Sequence, residues 1–228
     1  MFVNCKILSQ ETCLPELMAS RPRGDNGWAV VTWDGGMLTQ GTGSRIKGGV
    51  LISRLNMLRQ HGGQAGVDAV LRRLPAEDQA LLRQMLLPVG WYPLELNLRL
   101  DAAIAGVMSP EDKDRAFLEM GRASAHEALH GPQHVFVKAG EPHFLLSQAP
   151  KIYRFYYAVG SRTYEQTGPC AAVLRTFGAE NVTEPDCLTI IGWHERAIEL
   201  CGGRAVHVTH PMCRARGAPH CEYHCTWE

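Results

Sequence analysis

The sequence predicts an α+β fold, with a helical N-terminal half packed on one face of a small antiparallel sheet and a C-terminal half in the order β-β-α-β-β. Three observations carry this. From residue 49 to about residue 130, apolar residues recur at helix spacing between Gly and Pro stops. Beyond residue 150, four stretches alternate apolar and polar residues at period 2. Between the second and third of these lies one helical stretch, residues 187–201, closed by Gly202-Gly203.

Residues 1–45 form an N-terminal appendage. Residues 28–33 are strand-like and Asp34-Gly35-Gly36 is a turn, which together suggest a small hairpin. The main unit, residues 46–228, opens with Val50, Leu51, Leu55 and Leu58 at helix spacing up to His61-Gly62-Gly63. Further helices follow over residues 65–74, 76–87 and 94–108, the first two stopped by Pro75 and Pro88. Ser109-Pro110-Glu111-Asp112 is a helix start, with Ser as N-cap and Pro at the first helical position. That helix runs to residue 129 and stops at Gly131-Pro132.

Residues 133–150 read as one more helix. Tyr153, Phe155 and Tyr157 then alternate, which predicts a strand over residues 151–157 continuing through residues 161–164. Gly168-Pro169 turns the chain into a partner strand over residues 170–177. Asp186 is read as the N-cap of the last helix. A final hairpin pairs residues 204–210 with residues 222–227, Cys221, Tyr223, Cys225 and Trp227 facing the core. Five short helices carry more apolar face than so small a sheet can cover, and this predicts a homodimer.

Lysine plus arginine equal aspartate plus glutamate at 23 each, so no basic surface argues for nucleic acid. Residues 1–6 have no charged, cleavable leader, and no apolar run is long enough to span a membrane. Eight cysteines without a secretory signal suggest reduced thiols in a cytoplasmic protein. The chain carries no G-x-S-x-G elbow, no H-E-x-x-H and no P-loop, so no residue is assigned a catalytic role.

Cysteine and histidine are densest at the C-terminus. Cys213 and Cys221 sit at the two feet of the hairpin loop, His210 lies three residues before Cys213, and Cys187 sits at a helix start where the dipole favours a thiolate. These four make a Cys-His-Cys-Cys zinc set. The alternatives are a Cys213–Cys221 disulfide or ordinary buried thiols, as expected of Cys201 and Cys225. His207, His220 and His224 fall on the wet strand face. Trp91, Tyr92, Phe155, Tyr157 and Trp193 either fill the core or line an apolar pocket.

The run CRARGAPHCEYHCTW, preceded by ELCGGRAVHVTHPM, resembles the C-terminal end of 4-vinyl-reductase-type domains. That family shares its fold with subunits of the TRAPP tethering complex and with the sensor domains of phenol-responsive bacterial activators. The resemblance covers roughly residues 90–228, and its specific motif is confined to the last twenty. In the sensor branch, zinc is held by a Cys, an acidic residue and two further Cys. Their order and separations match Cys187, position 210, Cys213 and Cys221, with His210 replacing the acid. Residues 46–100, including KGGVLISRLNMLRQHGG and VGWYPLELNLRL, also resemble an uncharacterised, largely myxobacterial family that lends no activity.

The resemblance implies a TRAPP-like fold, a structural zinc and an aromatic-lined pocket for a small hydrophobic ligand. The function it implies first is a non-enzymatic regulatory or ligand-sensing module, working with that ligand or a regulatory protein partner. A dimeric protein-interaction scaffold without a small ligand is the second. A tetrapyrrole vinyl reductase is the third.

Overall fold

The computed structural model describes residues 43–179 and 183–228. The predicted N-terminal hairpin lies outside them. Two short strands, β1 (Arg45–Lys47) and β2 (Trp91–Pro93), pair antiparallel. The helices of the first half are α1 (Gly48–Leu71), α2 (Ala76–Leu82), α3 (Leu94–Met108) and α4 (Lys113–His130). α1 is broken at Gly63, whose φ of +58° a residue with a Cβ would adopt only at a cost. This is the stop expected at His61-Gly62-Gly63. Leu51, Leu55, Leu58, Val70, Leu100, Ile104 and Met120 interlock in one core between these helices. The helices therefore cover one another at these positions, and the homodimer expected from uncovered helix faces is unsupported.

Two short helices follow, α5 (Pro142–Ser147) and α6 (Ala149–Tyr156). The strand expected over residues 151–157 is thus a helix. Its buried residues, Ala149, Ile152 and Tyr153, with Tyr156 half-buried below them, form a helical stripe, while Phe155 is exposed. Pro150, within the first turn, fits a helix start.

The main sheet has β3 (Ser161–Gly168), β4 (Ala171–Phe177), β5 (His207–Met212) and β6 (Cys221–Thr226) in the order β3-β4-β6-β5, all antiparallel. Between β4 and β5 runs α7 (Glu184–Leu200). Its cap is Thr183, not Asp186: Asp186 stands at the third helical position and closes a capping box with Thr183. β6 alternates as expected, with Cys221, Tyr223 and Cys225 buried and Glu222, His224 and Thr226 outside. Its buried face packs with Leu146, Ala172, Leu174 and Ile198 into a core of its own.

The fold is α+β, with seven α-helices among the described residues. None of them is long and apolar enough to cross a membrane.

Candidate functional site

The two halves meet along α4 and α7. Gly121 on α4 faces the Thr189 carbonyl of α7, and Gly192 on α7 faces the Leu118 carbonyl of α4. A Cβ at either glycine would collide with backbone. Glycine lets the two axes approach this closely.

Beside this crossing lies an apolar cavity of about 210 Å³ between α1, α4, α6 and α7. Ile52, Ala149, Ile152 and Trp193 contribute apolar wall, and Ser53, Ser124, Arg54 and Arg162 contribute polar groups. Arg54 is buried. Its Nε lies 2.7 Å from Asp101 Oδ1 and its Nη2 3.1 Å from Asp101 Oδ2, while Nη1 donates to the Met120 carbonyl and to Ser124 Oγ. The pair ties α1 to α3, and the other two bonds tie α1 to α4. A second cavity of about 40 Å³ shares Tyr153, Tyr157, Arg162, Thr189 and Ile190 with the first and reaches Cys221 and Tyr223.

Of the five aromatic residues proposed from sequence for a pocket, Tyr157 and Trp193 line this cavity. Trp91 is 38% exposed and lies under the Lys47 ammonium, 3.7 Å from its ring centroid. Phe155 is 42% exposed, and Tyr92 packs on the helical core and accepts a hydrogen bond from the Leu87 amide. Sequence reading missed Arg54 and Arg162. The pairing of Arg54 with a carboxylate 47 residues away leaves no local mark. Arg162 had one, its inward position in the alternation of β3.

The other concentration of chemistry is the Cys187, His210, Cys213, Cys221 cluster, whose donor atoms all lie within 4.8 Å of one another. Thr183 and Asp186 start α7 so that Cys187 reaches the sheet. Pro211, which has no N–H to give to the ladder, coincides with a register shift between Thr209 and Met212. His210 lies on the same strand face as buried Val208, flat against Tyr223.

The Cys187 sulfur is 3.9 Å from those of both Cys213 and Cys221, and all three cysteines are free thiols. The hydrogen bond between Cys187 and Cys221 pushes the Cys187 thiol up and holds Cys221 down. His210 and the Arg214 amide, 3.4 Å from the Cys221 sulfur, favour the same thiolate. His210 Nε2 is buried without a hydrogen-bond partner among the described residues.

No protein-family model and no curated protein matches the sequence. Solved structures do. The H-NOX (heme-nitric oxide/oxygen binding) protein from S. oneidensis in its Fe(II)NO state aligns with a TM-score of 0.64 at 12% identity, covering 80% of this chain and 99% of that one. An Fe(II) unliganded H-NOX mutant from K. algicida aligns with a TM-score of 0.62 at 11% identity, covering 80% and 97%.

The fold is that of the H-NOX domains.

This corrects the assignment to 4-vinyl-reductase-type, TRAPP-like domains, which are a different fold family. The local run at the C-terminus carried that resemblance, whereas the H-NOX match spans both halves of the described chain. Structural zinc as this chain's cofactor is corrected on the same finding. The structures that share the fold are described by their Fe(II) and by heme distortion and redox potential.

Proposed function

We propose that this chain is a non-enzymatic ligand-sensing module of H-NOX fold whose sensing site is the 210 Å³ cavity between α1, α4, α6 and α7. The observation that supports it is a concave, largely apolar space with a few convergent polar groups, the usual form of a small-molecule site. The cavity sits where the helical half meets α7, so filling it bears on both halves.

Heme iron takes an axial His, Cys, Met or Tyr. Among the described residues the cavity wall holds no His, Cys or Met. Tyr153 Oη donates to the Val159 carbonyl at 2.9 Å and Tyr156 Oη to Gln133 at 2.7 Å. Burial pushes the Tyr157 phenol well up, which keeps it protonated. The donor set does not fit heme, and the proposed ligand is a small organic molecule instead.

The Cys187, His210, Cys213, Cys221 cluster is proposed as a separate metal-binding site. Four protein donors leave no open position for a substrate.

The test of the sensing site is calorimetric titration with 1-octanol, a neutral apolar probe. Saturable binding to the unmodified chain, lost in Ala149→Trp with the fold intact, is the expected result. Equal binding in both, or none in either, overturns the cavity as the sensing site. Added hemin is expected to give no shifted Soret band.

A further inference from the structure

Two guanidinium groups reach the cavity, and they are in different states. Arg54 is neutralised by both oxygens of Asp101. Arg162 takes part in none of the ion pairs among the described residues. Its Nε donates to Thr176 Oγ1 at 3.0 Å. Its guanidinium carbon lies 4.6 Å from the Tyr153 ring centroid and 5.9 Å from that of Tyr223. The rings orient the plane and the threonine fixes one edge, which leaves the two Nη groups as donors facing no acceptor side chain among the described residues.

The position of Arg162 matters as much as its state. It lines both cavities, at the wall they share. Two acidic groups line them as well. Glu127 is exposed and engaged by Asn56, and Asp186 is held by Thr183 in the cap of α7. Neither carboxylate neutralises Arg162. Asn97 also lines the smaller cavity, and its buried Oδ1 has no hydrogen-bond partner among the described residues. An acceptor left unmet at this depth costs stability unless something donates to it.

We infer that the ligand of this cavity is an amphipathic carboxylate, its apolar body lying among Ile52, Ala149, Ile152 and Trp193 and its carboxylate bound end-on by the Arg162 guanidinium. This rests on the cavity being the sensing site and adds the class of molecule sensed. A planar, pre-oriented guanidinium matches the two oxygens of a carboxylate in bidentate geometry. A neutral ligand of the same length would bury its apolar body equally and leave Arg162 unmet. The same chemistry accommodates a hydroxyl near the carboxylate, which would donate to Asn97.

The experiment compares octanoate with 1-octanol on the full chain by calorimetry, for the unmodified protein and for Arg162→Met, which keeps the apolar stem and removes the donors. Octanoate is expected to bind the unmodified protein about tenfold more tightly than octanol, the scale of a hydrogen-bonded charge. Arg162→Met should lose that preference while its octanol affinity stays within about twofold. A preference that survives Arg162→Met, or octanol binding as tightly as octanoate to the unmodified protein, overturns the inference and leaves the cavity reading standing. Binding of neither probe overturns both. Should Arg162→Met fail to fold, octanoate against its methyl ester on the unmodified protein decides instead, and equal affinities overturn the inference.

Discussion

The imidazole of His210 lies flat on the ring of Tyr223, centroids 4.5 Å apart and planes 9° from parallel. Stacking fixes the plane of the histidine, and with it the direction of its unpartnered Nε2 beside the cysteines. Tyr223 is buried and borders the smaller cavity together with Cys221. One ring therefore touches both the donor cluster and the proposed ligand space.

Reduced, metal-free protein titrated with cobalt(II) should take up one equivalent and show sulfur-to-cobalt charge transfer. Cys213→Ser or Cys221→Ser should weaken that band. His210→Asp should retain more binding than His210→Ala, since a carboxylate can ligate and a methyl group cannot. Tyr223→Leu removes no donor, yet should weaken binding by about tenfold by freeing the imidazole, as loss of an orienting neighbour does. No charge-transfer band in the unmodified protein would remove these residues from a metal site.

The buried pair of Arg54 and Asp101 joins α1 to α3 beside the cavity, its side chains 4% and 1% exposed. Asp101→Asn leaves a buried cation without its counter-charge, which costs about 3–5 kcal/mol. Replacing both, as Arg54→Met with Asp101→Leu, should recover most of the loss because no charge is then stranded. Chemical denaturation of the three proteins checks this. A double variant as unstable as Asp101→Asn would mean that packing, not charge, sets the cost.

How much of this was legible in the sequence depended on how local the signal was. β6 could be read because one of its faces is buried, which forces Cys221, Tyr223, Cys225 and Trp227 into strict alternation. The donor cluster could be read because three of its members lie at a single hairpin. Tyr153, Phe155 and Tyr157 misled: three aromatics two apart fit a strand as well as a helix, and Ile152 beside Tyr153 was the residue that broke the alternation. The cavity was not legible, since Arg54 meets Asp101 across 47 residues and Arg162 meets Tyr223 only through the sheet. The fold family was misjudged for a related reason. The C-terminal run describes one hairpin, whereas the family lies in how the helices sit on the sheet.

Gly121 and Gly192 give a prediction whose sign separates packing from helix propensity. Alanine in place of an unconstrained helical glycine stabilises by up to about 1 kcal/mol. Here the added methyl would meet the Thr189 or Leu118 carbonyl. Gly121→Ala and Gly192→Ala should each destabilise by about 1–3 kcal/mol, the usual cost of overpacking. Gly106→Ala, on α3 with nothing nearer than 3.8 Å, is the control and should be neutral or stabilising. Melting temperatures that rise in all three would show that the α4–α7 crossing has room to spare.

His194 supplies the pH dependence. It is fully buried on α7, and neither ring nitrogen has a hydrogen-bond partner among the described residues. Its neighbours are the rings of Trp193 and Tyr223. Burial lowers its pKa well below the usual imidazole value, and the nearby charge of Arg162 lowers it further. The unfolded chain therefore binds a proton near pH 6.5 that the folded chain refuses. Where the unfolded state holds more protons, stability rises with pH. The contribution of His194 is complete above about pH 6.5 and is lost as pH falls below it, with a slope of at most about 1.4 kcal/mol per pH unit for one proton. His194→Phe should flatten that part of the profile between pH 6.5 and pH 5, whatever it does to stability at pH 8. Denaturation midpoints for both proteins across that range make the comparison. Parallel profiles would mean that His194 finds a proton acceptor in the folded state and is not held neutral.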